Sequence, residues 1–246
     1  MIQRRAISLK TTAACDGACR HCVARPWMDR HRGEFASLED IEALVVWSRA
    51  SGYRWQSIIL TGGEPMLWRH LHEAAELLRR SLVADELVMF TNALVAGSRE
   101  GFDRFVRACE SLDRVRLSRY HGNEAEVGFI LGRCVGGKIG RAKIGCVDNA
   151  VWCIPPSDPV PDSLPAECTC RSYGLWMRRL TLCAPIEMLY DRHRWDKSRL
   201  PCTEVNRAGF LSDLERVDPT RQDACRYCVG NPKVAAKATR TRNRVR

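Results

Sequence analysis

From Arg5 to Val147 the sequence alternates short apolar runs with segments of helical period, and that alternation limits the fold more than any other feature. Ile7 and Leu9 alternate with polar neighbours, as in a short strand. Ser37 opens an S-x-x-D capping box with Asp40, and Leu38, Ile41, Leu44, Val45 and Trp47–Ser48 fall on one helical face before Gly52 ends it. The run Ser57–Thr61 reads as a buried strand, 68–80 as a helix, 86–91 as a strand and 98–110 as a helix capped by Ser98. Strands follow at 114–118 and 141–147, with a glycine-rich stretch between them that fits neither pattern. Strands alternating with helices over short connections predict a parallel sheet or barrel with helices outside.

Cysteine is the compositional outlier, with 13 in 246 residues. An odd number spread over a chain of this length does not describe a small disulfide scaffold, so metal binding or catalysis is the better use for them. No apolar run approaches the ~18 residues of a membrane-spanning helix, and the basic N-terminus lacks the pattern of a signal peptide. A cytoplasmic protein with no membrane partner is the expectation. The formal net charge is +10, and Lys233–Arg246 holds six basic residues and no acid. That tail reads as a frayed, solvated end, with a grip on nucleic acid as the alternative.

Cys15, Cys19 and Cys22 form C-x3-C-x2-C just after the first strand. Three thiolates this close suit one corner of a [4Fe–4S] cube and leave the fourth iron open to a small molecule. Zinc is the alternative, and it needs a fourth ligand from His21 or a distant cysteine. Further on, Pro155–Pro165 holds five of the eleven prolines and reads as a linker. The expected division is residues 1–154 as the barrel, 155–167 as the linker, 168–232 as a cysteine-rich domain and 233–246 as a disordered tail.

The cysteine triplet after the first strand, with Thr61-Gly62-Gly63-Glu64-Pro65 after the second, resembles the radical S-adenosylmethionine superfamily. The resemblance implies an α/β fold, a partial (β/α)6 TIM-like barrel over about residues 5–147, with chemistry at the carboxyl ends of the strands. It implies a [4Fe–4S] cluster on Cys15, Cys19 and Cys22 whose open iron chelates the methionine end of S-adenosylmethionine. Reductive cleavage of that cofactor then releases a 5′-deoxyadenosyl radical. Gly62 and Gly63 would let backbone approach the methionine, and Glu64 would be the counter-charge to its ammonium. Thr91-Asn92 closes the third strand where the family often has Thr-Asn-Gly, with Ala93 in place of the glycine. Ser118 closes the fourth, where the family places a polar group near the cofactor. His21 stands where an aromatic residue commonly precedes the third cysteine.

In the second half, Cys170, Gly174, Cys183, Cys225 and Cys228 resemble the shortened "twitch" form of the SPASM auxiliary-cluster domain. That implies a second [4Fe–4S] cluster on Cys170, Cys183, Cys225 and Cys228, although zinc suits the same four thiolates. Cys168 competes with Cys170, and Cys202 is a further candidate. Cys109, Cys134, Cys146 and Cys153 read as core residues. Arg119, Tyr120 and His121 follow the fourth strand, and His121 reads as a surface histidine.

The function this implies is an oxidoreductase that abstracts hydrogen from a C–H bond of a sugar- or cyclitol-like small molecule or of a peptide. A reductant such as flavodoxin or ferredoxin would supply electrons, and the auxiliary cluster would accept one. Only 14 residues precede Cys15, which favours a small metabolite over a peptide read by a leader-binding domain. The alternatives are radical modification of a nucleic acid or its precursor and, in another class, a zinc-stabilised nucleic-acid-binding module.

Overall fold

The computed structural model describes residues 6–17, 22, 24–120, 122–148, 172–181, 186–194, 196, 200 and 202–205. The strands are β1 (Ala6–Thr12), β2 (Trp55–Gly62), β3 (Ala84–Thr91), β4 (Arg114–Arg119), β5 (Lys138–Ile139), β6 (Ala142–Asp148), β7 (Ser172–Trp176), β8 (Arg179–Thr181) and β9 (Cys202–Glu204). The helices are α1 (Arg25–Arg30), α2 (Leu38–Ala50), α3 (Leu71–Ser81), α4 (Arg99–Cys109), α5 (Glu124–Leu131) and α6 (Ile186–His193). All strands of the described residues join one sheet in the order β5-β6-β4-β3-β2-β1-β7-β8-β9. From β6 to β7 the neighbours run parallel, and the short strands at both margins are antiparallel. This is the α/β partial barrel expected from the alternation, with helices following the successive strands.

Alternation along each strand separates two faces. Ile7, Leu9, Ile58, Leu60, Leu87, Met89, Val115, Leu117, Tyr173 and Leu175 form one buried apolar layer. The buried positions of α2, α3 and α4, including Ile41, Leu44, Ala74, Leu78 and Phe105, belong to the same core. The opposite, inner face is of another kind. Ser8, Ile59, Thr61, Phe90, Arg114, Arg116 and Ser118 are only half-buried there. A closed barrel fills its interior with branched apolar side chains. Here the interior stays polar and partly open.

The inner face is covered at the β1 end. Lys10 is 2% exposed and its Nζ lies 2.7 Å from Glu187 Oε2 of α6, itself 1% exposed. The same ammonium sits 4.9 Å from the ring centroid of Trp27 in α1, and Trp27 meets Trp176 edge to face. Arg30 of α1 reaches the buried Asp191 of α6 at 2.8 Å. The buried carboxylates Glu187 and Asp191 thus bind α6 to β1 and α1.

The capping box at Ser37 forms as expected, with the hydroxyl accepting from the Asp40 N–H and the Asp40 carboxylate from the Ser37 N–H. Ser98 caps α4 by accepting from the Gly101 N–H. The helix expected over 68–80 begins three residues later. Glu64 caps a separate 3-10 turn at Pro65–Leu67, and Trp68 turns into the core in extended backbone before α3 starts. The unassigned glycine-rich stretch resolves into α5 and the small β5–β6 hairpin. β7 falls in the segment assigned beyond the proline-rich linker, yet it pairs with β1 over Ala6–Leu9 and carries the barrel sheet past that point. Residues 155–167 and 233–246 lie outside the described residues. No helix among the described residues is long and apolar enough to cross a membrane.

Candidate active site

The parallel strands bring their carboxyl ends to one rim, and β1 continues there into the loop that carries Cys15. Gly62 adopts φ +137°, and a Cβ on it would stand 2.5 Å from the Thr12 carbonyl oxygen. On Gly63 it would stand 2.0 Å from the Ala14 carbonyl oxygen. Only glycine fits so close an approach of two backbones. The contact is also bonded: the Gly63 N–H donates to the Thr12 carbonyl at 2.6 Å and the Glu64 N–H to the Ala14 carbonyl at 2.8 Å. The sequence suggested that these glycines make room for a ligand. What the described residues show in that space is the cysteine loop itself, clamped to the end of β2.

Glu64 is 1% exposed. Its Oε1 accepts from the Met66 N–H at 2.9 Å and the Thr91 hydroxyl at 2.7 Å, and its Oε2 from the Asn92 N–H at 2.7 Å. Burial raises its pKa to about 7 against the opposing pull of those three donors. The expected counter-charge is therefore also the tie between β2 and β3. Thr91 Oγ1 accepts in turn from the Ala93 N–H at 3.1 Å. Ala93 itself sits at φ +67°, the left-handed position that a glycine would take without strain.

Asn92 reaches the cysteine loop, its Nδ2 donating to Asp16 Oδ1 at 2.7 Å. A Cβ on Gly17 would meet the Tyr120 hydroxyl at 2.9 Å, Asn92 Nδ2 at 3.3 Å and Cys15 Sγ at 3.5 Å, so loop, β3 and β4 ends are packed together. Arg25 adds a bond from α1, donating to the Gly17 carbonyl at 3.3 Å. Ser118 is half-buried at the end of β4, and its carbonyl accepts from Asn123 Nδ2 at 2.8 Å.

Asn123 was not legible in the sequence. It is fully buried, and its amide also donates to the Asn92 carbonyl at 2.6 Å while its Oδ1 accepts from the Tyr120 N–H at 3.0 Å. One side chain thereby fixes the ends of β3 and β4. Asp16 was missed as well. No local pattern marks either residue, because their partners lie 31 and 76 positions away.

Cys15 and Cys22 are half-buried and close enough for Cys22 to contribute to the raised Cys15 pKa. Burial is the main cause, with Glu64 and Asp16 adding to it, and the Cys15 thiol is pushed up to about 11. A thiol this reluctant to ionise suits a site where a cation supplies the missing positive charge. Cys19 and His21 lie outside the described residues, as do Cys168, Cys170, Cys183, Cys225, Cys228, Cys153 and His121. Cys202 is exposed on β9 opposite Thr181. Of the expected core cysteines, Cys109 is fully buried and Cys134 half-buried, but Cys146 is exposed. It lies beyond the two pairs that β5 makes with β6, so no strand of the described residues pairs with it on that side.

A family model described as the Radical SAM superfamily matches residues 9–143. No curated protein matches the chain by sequence. Among solved structures, BtrN in complex with AdoMet and 2-DOIA superposes with a TM-score of 0.62 at 14% identity, over 92% of this chain and 93% of that one. BtrN in an open conformation gives a TM-score of 0.60 at 11% identity, over 93% and 94%. Streptococcus suis SuiB bound to S-adenosylmethionine gives 0.45 at 11% identity, over 94% and 72%. At these identities the likeness to BtrN speaks for the fold.

Proposed function

The chain belongs to the radical S-adenosylmethionine superfamily, and on that premise we propose that it is an oxidoreductase acting on a C–H bond of a small, sugar- or cyclitol-like substrate. The family implies a [4Fe–4S] cluster and S-adenosylmethionine. Cys15, Cys19 and Cys22 are the proposed cluster ligands. When bound, the cluster supplies the electron that splits the cofactor into methionine and a 5′-deoxyadenosyl radical, which takes a hydrogen atom from the substrate. Gly62, Gly63, Glu64, Thr91, Asn92 and Ser118 are the proposed cofactor contacts.

The observation that carries this reading is the pair of bonds from Gly63 and Glu64 to Thr12 and Ala14. They make the cysteine loop and the Gly-Gly-Glu segment one rigid rim, which suits a site that must hold a cofactor against a metal. Among the described residues Glu64 Oε2 accepts a single bond, so the carboxylate retains lone pairs for a cofactor ammonium. Asn92 and Asn123 hold the β3 and β4 ends at fixed spacing beside it.

A second [4Fe–4S] cluster on Cys170, Cys183, Cys225 and Cys228, in a twitch-like domain, completes the proposal. Its support is the β7–β8 hairpin: β7 begins at Ser172 and β8 ends at Thr181, and Cys170 and Cys183 follow in sequence beyond that open end. The auxiliary cluster would accept an electron from the substrate, and flavodoxin or ferredoxin would be the reductant.

Anaerobic reconstitution tests the reading. About eight irons and eight sulfides per chain are expected, with broad absorption near ~400 nm. Dithionite should then release 5′-deoxyadenosine from S-adenosylmethionine, and replacing Cys15, Cys19 and Cys22 with alanine should abolish it. Cleavage by the triple variant would overturn the assignment.

A further inference from the structure

Resting on the reading above, we propose that Arg116 is the anion-binding residue of the substrate pocket, so that the substrate carries a carboxylate or a phosphate.

β4 turns Val115 and Leu117, both fully buried, toward the helices, which sets Arg114, Arg116 and Ser118 on the inner face. Arg116 lies two residues below Ser118, roughly 7 Å beneath the rim at the rise of a strand. Its register partners are Phe90 on β3 and Gly145 on β6. A Cβ added to Gly145 would meet nothing within 4 Å among the described residues, so the strand position next to Arg116 is open.

Two other cations of this face are matched. Arg114 pairs with Glu86 at 2.6 Å, and Lys10 pairs with Glu187. Arg116 has no ion-pair or hydrogen-bond partner among the described residues, and no carboxylate stands beside it in register. Lys143, exposed on β6 opposite Arg114, adds a second positive charge one layer below. A guanidinium does not lose its proton, and half-burial without a counter-ion is costly. A cleft with one unmatched sign of charge focuses its field on a ligand of the other sign. The planar fork of Arg116 matches two oxygens of a carboxylate or phosphate. Phe90 beside it offers an apolar wall for the carbon skeleton.

The test uses the anaerobic, reconstituted enzyme with S-adenosylmethionine bound, titrated calorimetrically with glucose 6-phosphate, gluconate and glucose. The two anions are expected to bind and glucose not to, and the stronger of the two identifies the group. Arg116→Gln should weaken the anion by about ten- to a hundredfold, the scale of a lost charged hydrogen bond. Arg116→Lys should recover part of it. Substrate-free release of 5′-deoxyadenosine and the thermal midpoint should match the parent in both variants. Equal anion binding by parent and Arg116→Gln overturns the proposal. So does a fall in substrate-free cleavage, which would put Arg116 on the cofactor, or a lowered midpoint, which would make it structural. If the parent binds the anions but never cleaves S-adenosylmethionine, the radical reading fails and the anion site stands.

Discussion

The Thr91 hydroxyl donates to Glu64 Oε1 at 2.7 Å, so two residues 27 positions apart join the ends of neighbouring strands inside the protein. The bond sits at 1% and 2% exposure, where an unmade partner is not rescued by water. It makes the candidate site a property of the sheet rather than of its loops.

Thr91→Val keeps the shape and removes that donor, together with the acceptor of the Ala93 N–H. A loss of about 1–3 kcal/mol is expected from a buried group left unmatched. Urea unfolding of the apo-protein measures it, and a change below the error of the method would show the bond to be idle.

Gly63→Ala places a methyl group 2.0 Å from the Ala14 carbonyl oxygen, so one backbone must move. Overpacking of this kind costs about 1–3 kcal/mol, and here it also frees the cysteine loop. The variant is expected to reconstitute with less iron than the parent by elemental analysis.

Glu64 has a pKa of about 7 in the free protein, raised by burial, and a cofactor ammonium needs it ionised. Above pH 7 binding of S-adenosylmethionine costs no proton release from Glu64, whereas below pH 7 the carboxyl must first deprotonate. Affinity should therefore fall as pH drops below 7, by up to about tenfold per unit. Titrations of the reconstituted enzyme between pH 5.5 and 8 check this, and Glu64→Gln should flatten the curve while weakening binding.

Lys10→Met removes the nearer cation of the buried Glu187 and leaves it the half-exposed Arg179 at 3.9 Å. Breaking one side of a buried pair typically costs about 3–5 kcal/mol, whereas replacing both sides with apolar groups is far milder. Thermal melts of Lys10→Met and of Lys10→Met with Glu187→Leu should separate the two, the double variant being the more stable.

The legible parts of the fold are those whose signals are local. The hydroxyl cap at Ser37, the apolar periods of β1 to β4 and the helices α2 and α4 all stand in the sequence as they stand in the structure. α1 did not, because Ala24 precedes it and no side chain caps it. α5 did not, because the side chain of Asn123 is committed to Asn92 and Ser118 rather than to the helix it precedes. The β7–β8 turn is made by Met177 and Arg178 at φ +45° and +62°, where asparagine or glycine is the usual signal. For the candidate site the residue types were readable and their duties were not. Gly62 and Gly63 announced a close approach, but only the register of β1 with β2 shows which backbone approaches.

β7 pairs with β1 across 166 positions, from Ala6 to Ser172, and this governs the order in which the molecule is completed. During synthesis the first strand remains a bare edge on one side until the chain has grown past Trp176. Such an edge can recruit a strand from another chain, and a contact so distant in sequence forms late. Fragments ending before Ser172 would then carry the cysteine loop on an unshielded strand and assemble with one another through it. The C-terminal half serves the N-terminal one as its missing neighbour before it contributes any chemistry.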